Sequence, residues 1–305
     1  MSKTTNDPGL GVKFDRIADR SINKDGSFNI KRINFEYSFK NTYQALIRMK
    51  WVWFFVFVTI FIIGSNLVFA SIYFVAQPKD LAAMETSNDL SKFMHVLYFS
   101  FQTFTTVGYG AISPRSHLIG MVSSIESVYG LISFAFITGL LYGRFSRPNA
   151  RFQYSNNMLV TPYEDKQSIQ FRFVNGRSSQ IIELEANVLL SITKRENDTI
   201  TRKFYDLELV TKNILFLPLN WTIVHVINED SPLFGLTQED YISGNAEFMI
   251  LIKGFDDTFS QVVHSRYSYT ADEMIWGAKF VRPYFVNEAG QTILDSALLD
   301  KYNSV

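Results

Sequence analysis

Two stretches of the chain are almost free of polar positions, and the remainder alternates. Residues 51–76 (WVWFFVFVTIFIIGSNLVFASIYFVA) hold no charged side chain in 26 positions. As a helix such a run reaches about 39 Å, against roughly 30 Å for the hydrocarbon core of a bilayer. Residues 118–142 (LIGMVSSIESVYGLISFAFITGLLY) repeat the pattern over 25 positions with a single acid, Glu126. Both are predicted to span a membrane, because core helices of soluble proteins rarely run so far without charge. Between them residues 93–104 (FMHVLYFSFQTF) are apolar over 12 positions, too short to cross and suited to a re-entrant helix. Ahead of the first run, FKNTYQALIR (39–48) places apolar side chains at 39, 43, 46 and 47. That is the spacing of an amphipathic helix in the headgroup plane, with a plain helical linker as the alternative.

From Phe152 the period becomes two. SIQFRFV, IIELEANVLLSI, KFYDLELV, LNWTIVHVI, AEFMILI, TFSQVVHSRYSY and KFVRPYFV are separated by turn signals such as NGRSS, KREND and NEDSP, a pattern that predicts a β-sandwich. TADE (Thr270 to Glu273) reads as a capping box, and LTQEDY as a second short helix. The expected organisation is an N-terminal segment (1–38), an interfacial helix (39–50), a transmembrane unit (51–150) and a cytoplasmic β unit (151–305).

Charge adds orientation. Acidic and basic side chains balance at 29 each, which gives no global field for nucleic acid. Lys31, Arg32, Lys40, Arg48 and Lys50 precede the first span, and Arg144, Arg147 and Arg151 follow the second, against Lys79, Lys92 and Arg115 between them. The positive-inside bias then puts both termini in the cytoplasm of a multi-pass protein. Arg48 and Lys50 beside the amphipathic helix would attract anionic lipid. The absence of cysteine excludes disulfides and thiolate metal sites.

The segment after the short apolar helix, TTVGYG (105–110), carries no charge and can bind a cation only through oxygen. Gly108 and Gly110 accept positive φ, which lets successive carbonyls face one axis. This is the segment by which potassium filters are known, four chains supplying rings of carbonyls in place of water. The sequence therefore predicts K⁺ sites at Thr106, Val107, Gly108 and Tyr109, preceded by Thr105 and closed by Gly110, in a homotetramer. Ser127, Phe134, Thr138 and Tyr142 fall on one stripe of the second span, which would line the pore with Tyr142 as gate or interfacial anchor. Glu126 then either backs the filter or, in the opposite phase, faces the cavity. An intramembrane acid is functional by default.

Little else carries chemistry. His225 and His264 stand alone, and no nucleophile, zinc or phosphate motif is present. No enzyme activity or cofactor is expected. A membrane-anchored sensor with an inert pore is the competing reading.

FSFQTFTTVGYG, YGRFSRP, FRFVNGRSSQIIELEANVLL, LNWTIVHVINEDSPLFGL and YTADEMIWG together resemble the prokaryotic inward-rectifier potassium channels, the KirBac group. The resemblance implies an immunoglobulin-like cytoplasmic domain, a bacterial inner-membrane location, a bundle-crossing gate matched by Tyr142, and a second constriction within 254–261, carried by Gly254, Phe255, Ser260 and Gln261. It implies anionic-lipid contacts at Lys50, Arg144 and Arg147. Asn149 and Ala150 replace basic residues of eukaryotic members there. Phe134 and Lys253 stand where strong rectifiers hold acids, so strong rectification is not expected. Gln102 and Ile112 replace a glutamate–arginine pair around the filter, which leaves Gln102 and Glu126 as filter support.

Overall fold

The computed structural model describes residues 4–5, 7–11, 20–31, 33, 39–76, 81, 88–146, 151–196 and 199–305. It divides into two compact units, Asn34–Arg147 and Met1–Ile33 with Pro148–Val305.

The first unit is helical: α1 (Phe39–Arg48), α2 (Trp51–Val75), α3 (Asp89–Phe104) and α4 (His117–Phe145). The α1 helix stops where Lys50 turns extended, with ψ 145°, to start α2. The short helix expected from Phe93 begins four residues earlier, because the Asn88 side chain accepts from the Leu90 amide and Asp89 occupies the first turn, where a negative charge suits the helix dipole. Ser116 caps α4 in the same way through the Ile119 amide. Both α2 and α4 have the length and composition of membrane spans. Phe55, Ile60, Val68, Leu131 and Phe136 remain exposed on them, as surfaces destined for lipid or for other chains must be. Ala70 and Tyr73 of α2, Val96 and Phe99 of α3 and Ile119 of α4 form the shared core.

The second unit is built from strands β1 (Thr4–Thr5), β2 (Phe152–Tyr154), β3 (Met158–Tyr163), β4 (Lys166–Asn175), β5 (Ile181–Glu196), β6 (Thr199–Asp206), β7 (Asn213–Phe216), β8 (Asn220–Ile227), β9 (Glu247–Asp256), β10 (Gln261–Thr270), β11 (Met274–Trp276), β12 (Ala278–Phe280), β13 (Tyr284–Val286), β14 (Thr292–Leu294) and β15 (Tyr302–Ser304). One sheet runs β1-β6-β5-β9-β10 with β7 on β5; a second runs β11-β3-β4-β2 with β8 on β4. Phe171, Phe173, Trp221 and Ile223 from the second sheet meet Leu190, Phe248, Ile250 and Ile252 from the first in one core. Alternate positions supply them, as the period of two requires. LTQEDY forms α5 (Gln238–Ser243), where the Thr237 amide donates to Asp240 at 2.7 Å. At TADE the Glu273 carboxylate accepts the Thr270 amide at 3.1 Å.

Two long-range anchors close this unit. The Ser21 and Ile22 amides donate to Glu247 at 2.8 and 3.0 Å, and Arg202 pairs with the same carboxylate at 3.4 Å. Glu247 is 2 % exposed, so the N-terminal segment pairs with a charge that could not stay buried alone. Arg172 is buried in the opposite sense, a cation whose donors reach the carbonyls of Val281, Leu298, Leu299 and Lys301 and whose plane covers the Phe280 ring. Burial pushes its pKa down to about 10.

Candidate pore-lining site

The TTVGYG segment grows directly from the end of α3. The last carbonyls of a helix lack partners within it, and here the following residues supply them. The Thr106 amide donates to Thr103 at 3.1 Å, and those of Val107 and Gly108 donate to the Gln102 carbonyl at 2.9 and 3.3 Å. The Thr105 hydroxyl donates to Phe101 at 2.6 Å. Gln102, expected as filter support, makes these bonds with its main chain.

Every second residue of the segment is left-handed: φ is +60° at Thr106, +53° at Gly108 and +82° at Gly110. Sequence reasoning placed positive φ at the glycines and missed Thr106. A β-branched residue is seldom found there, and only the two bonds that pin Val107 and Gly108 to α3 make the conformation intelligible. Val107 and Tyr109 are exposed.

The faces of α4 separate cleanly. Ile119, Glu126, Gly130 and Ser133 are buried, whereas Phe134, Thr138 and Tyr142 are exposed and Ser127 is half-buried, its hydroxyl donating to Ser123. Glu126 accepts from the Tyr73 hydroxyl and the Ser100 hydroxyl, each at 2.5 Å. Ser100 also lies 3.1 Å from the Asn66 side chain. Glu126 is therefore enclosed by α2 and α3 of its own chain. The Tyr73 and Ser100 partners, and Asn66 beyond Ser100, were not read from sequence; each looks like an ordinary member of an apolar run. Gly130, one turn further on, lies so close to α3 that a Cβ would sit 2.1 Å from the Phe104 carbonyl oxygen.

At the other end of α4, Tyr142 is 74 % exposed. Arg48 and Lys50 are exposed too. Arg144, expected with them against lipid, is instead 9 % exposed, because its guanidinium serves the main chain at the end of α1. Arg147, Asn149 and Ala150 lie outside the described residues. In the β unit, Gly254 and Phe255 approach the end of β9 while Ser260, at φ +50°, and Gln261 lead into β10. Asp256 ties that turn by accepting the Thr258 and Phe259 amides at 3.0 and 3.2 Å.

Among the described residues no group of three or more His, Cys, Asp or Glu gathers as a metal site. His225 is buried between the Glu208 carbonyl at 2.6 Å and the Ser231 hydroxyl at 2.8 Å. Burial pushes its pKa down, with the Glu208 bond opposing.

Comparison with known proteins agrees across the chain. The family described as inward rectifier potassium channel transmembrane domain matches residues 22–148, and the one described as inward rectifier potassium channel C-terminal domain matches residues 152–305. The inward rectifier potassium channel Kirbac3.1 of Paramagnetospirillum magnetotacticum is 31% identical over 298 residues, covering 97% of this chain and 98% of its own. The ATP-sensitive inward rectifier potassium channel 12 of Bos taurus is 26% identical over 302 residues, covering 92% of this chain and 70% of its own. With spans, segment and β unit in one order, the chain belongs to the inward rectifier potassium channel family, membrane-embedded ion channels and not enzymes.

Proposed function

We propose that four copies of this chain surround a potassium-selective pore in a bacterial inner membrane, with both termini in the cytoplasm and the β units, read as immunoglobulin-like sandwiches, extending the path inward. The observation that carries this reading is the left-handed alternation at Thr106, Gly108 and Gly110. Successive peptides in an ordinary strand point their carbonyls to opposite sides; alternating handedness turns them to one side. Four such strands would ring K⁺ at Thr106, Val107, Gly108 and Tyr109 with oxygen. The C-terminal end of α3 adds partial negative charge nearby.

In this reading α3 is the pore helix. Glu126 and the Gln102 main chain hold the filter, and Ser127, Phe134, Thr138 and Tyr142 line the path with Tyr142 at its inner gate. The turn carrying Gly254, Phe255, Ser260 and Gln261 forms a second constriction. Exposed Arg48 and Lys50, with Arg147, meet anionic lipid, and either that lipid or a ligand of the β unit sets the gate. Strong rectification is not expected, since Phe134 and Lys253 offer no carboxylate to a blocking cation.

The test is flux through purified protein in liposomes. Rb⁺ and K⁺ should enter, Na⁺ hardly, and Ba²⁺ should block. Equal Na⁺ and K⁺ flux ends the selectivity claim, and a monomer in the membrane ends the pore.

A further inference from the structure

The guanidinium of Arg144 donates to the carbonyls of Leu46, of Ile47 at 3.1 Å and of Met49 at 2.6 Å. These belong to the last turn of α1 and the residue just beyond it, where main-chain oxygens have no helical partner and where the helix dipole favours a cation. Trp51 and Phe54, in the first turn of α2, lie on the same group, each ring centre 4.5 Å from the guanidinium carbon. Beside it, Gly143 lets α1 come close: a Cβ there would meet the Tyr43 hydroxyl at 3.2 Å and Ile47 at 3.3 Å. Trp51 also packs on Phe145 at 4.9 Å. One side chain therefore gathers the end of α1, the start of α2 and the end of α4.

We propose that Arg144 is a positioning residue that latches α1 to the gate end of α4, and not a ligand for lipid headgroups. The proposal rests on the reading of Tyr142, two residues away, as the gate and of Arg48 and Lys50 as the lipid-facing residues. Lipid pulling on α1 then reaches the gate through the latch. The work needs a planar fork of donors that also stacks on aromatic rings. A lysine keeps the charge but supplies neither.

Rb⁺ uptake by the full-length protein, in vesicles of neutral lipid carrying increasing fractions of phosphatidylglycerol, separates the two roles. R144K and R144Q are both expected to shrink the span of the lipid response by about fivefold or more, the lower end of ordinary coupling between sites. Lys50→Gln should instead move the lipid fraction at half response and keep the span. Amide exchange over residues 46–50 reads the latch independently of conduction, and should quicken in R144K as the α1 end frays. It should quicken less in W51L, which keeps the carbonyl bonds and loses one ring. A wild-type response and exchange pattern in R144K, or a shifted midpoint in R144Q that R144K rescues, overturns the latch. If wild-type protein itself conducts without selectivity, the conduction reading fails while the exchange result still decides the latch.

Discussion

The Tyr73 hydroxyl donates to Glu126 at 2.5 Å, so a fully buried acid on α4 is tied to α2. Ser100 of α3 donates to the same carboxylate, and all three helices meet at one group. Two residues beyond Ser100, the Gln102 carbonyl holds the amides of Val107 and Gly108. Glu126→Ala leaves the buried Tyr73 hydroxyl without its acceptor, while Ser100 can still donate to Asn66 at 3.1 Å. It is expected to cost about 1–3 kcal/mol for the orphaned hydroxyl and to admit more Na⁺ relative to K⁺. Melting of the purified protein and paired ion uptake check both. A variant that melts and selects like wild type would remove Glu126 from filter support.

Gly130 is fixed by contact, because the carbonyl of Phe104 occupies the place of a Cβ. Gly130→Ala must push α4 away from α3, and a cost of about 1–3 kcal/mol is ordinary for overpacking. Gly64, with nothing within 4 Å of its Cβ position, is the control, since Gly64→Ala in a helix interior should gain up to about 1 kcal/mol. Equal melting shifts for the two variants would contradict this packing.

Acid should weaken the β unit through His225. Its folded pKa lies below the ordinary 6.5 because burial disfavours the charged ring. Between 6.5 and that lower value the unfolded chain binds more protons, so stability falls as pH falls through the window and this group contributes no slope above it. The fall in melting temperature from about pH 7.5 to about pH 5.5 should be smaller in His225→Gln than in wild type. An identical fall would assign the acid response to other groups.

Glu247 holds the N-terminal segment through the amides of Ser21 and Ile22. In Glu247→Ala trypsin should cut after Arg20, Lys24 or Lys31 about tenfold faster, the equivalent of about 1.4 kcal/mol lost from local opening. Unchanged cleavage would show that the remaining contacts, such as Ser268 with the Ile22 carbonyl at 2.6 Å, suffice alone.

What sequence could reveal follows from the range of the interaction. The uncharged runs that became α2 and α4, and the alternation that became β8 and β9, are local periods set by burial, and they are legible in order. The positive φ of Gly108 and Gly110 is legible because only glycine tolerates it cheaply. Thr106 is not, since its φ of +60° is imposed by hydrogen bonds to α3. Tyr73, Ser100 and Asn66 look like incidental polar residues until helices distant in sequence bring the first two to Glu126 and Asn66 to Ser100. Arg144 shows the same limit in reverse. Position and charge suggest a headgroup ligand, and nothing in its neighbourhood along the chain announces that α1, some hundred residues earlier, needs its donors. The Ser21–Glu247 contact spans 226 positions and leaves no periodic trace.

The carbonyls that receive Arg172 lie between Val281 and Lys301, which makes the tail of the chain an internal ligand for a charge planted in β4. Because main-chain atoms do the receiving, these bonds constrain the path of the segment, while Asp300, which accepts from Asn156, and the buried Leu299 constrain its side chains separately. A fusion joined after the exposed Val305 leaves those oxygens in place. Removing residues 299–305 would take two of the four acceptors, the Leu299 and Lys301 carbonyls, from a guanidinium in the interior, so in tagging or shortening this protein those seven residues are worth more than their identities suggest.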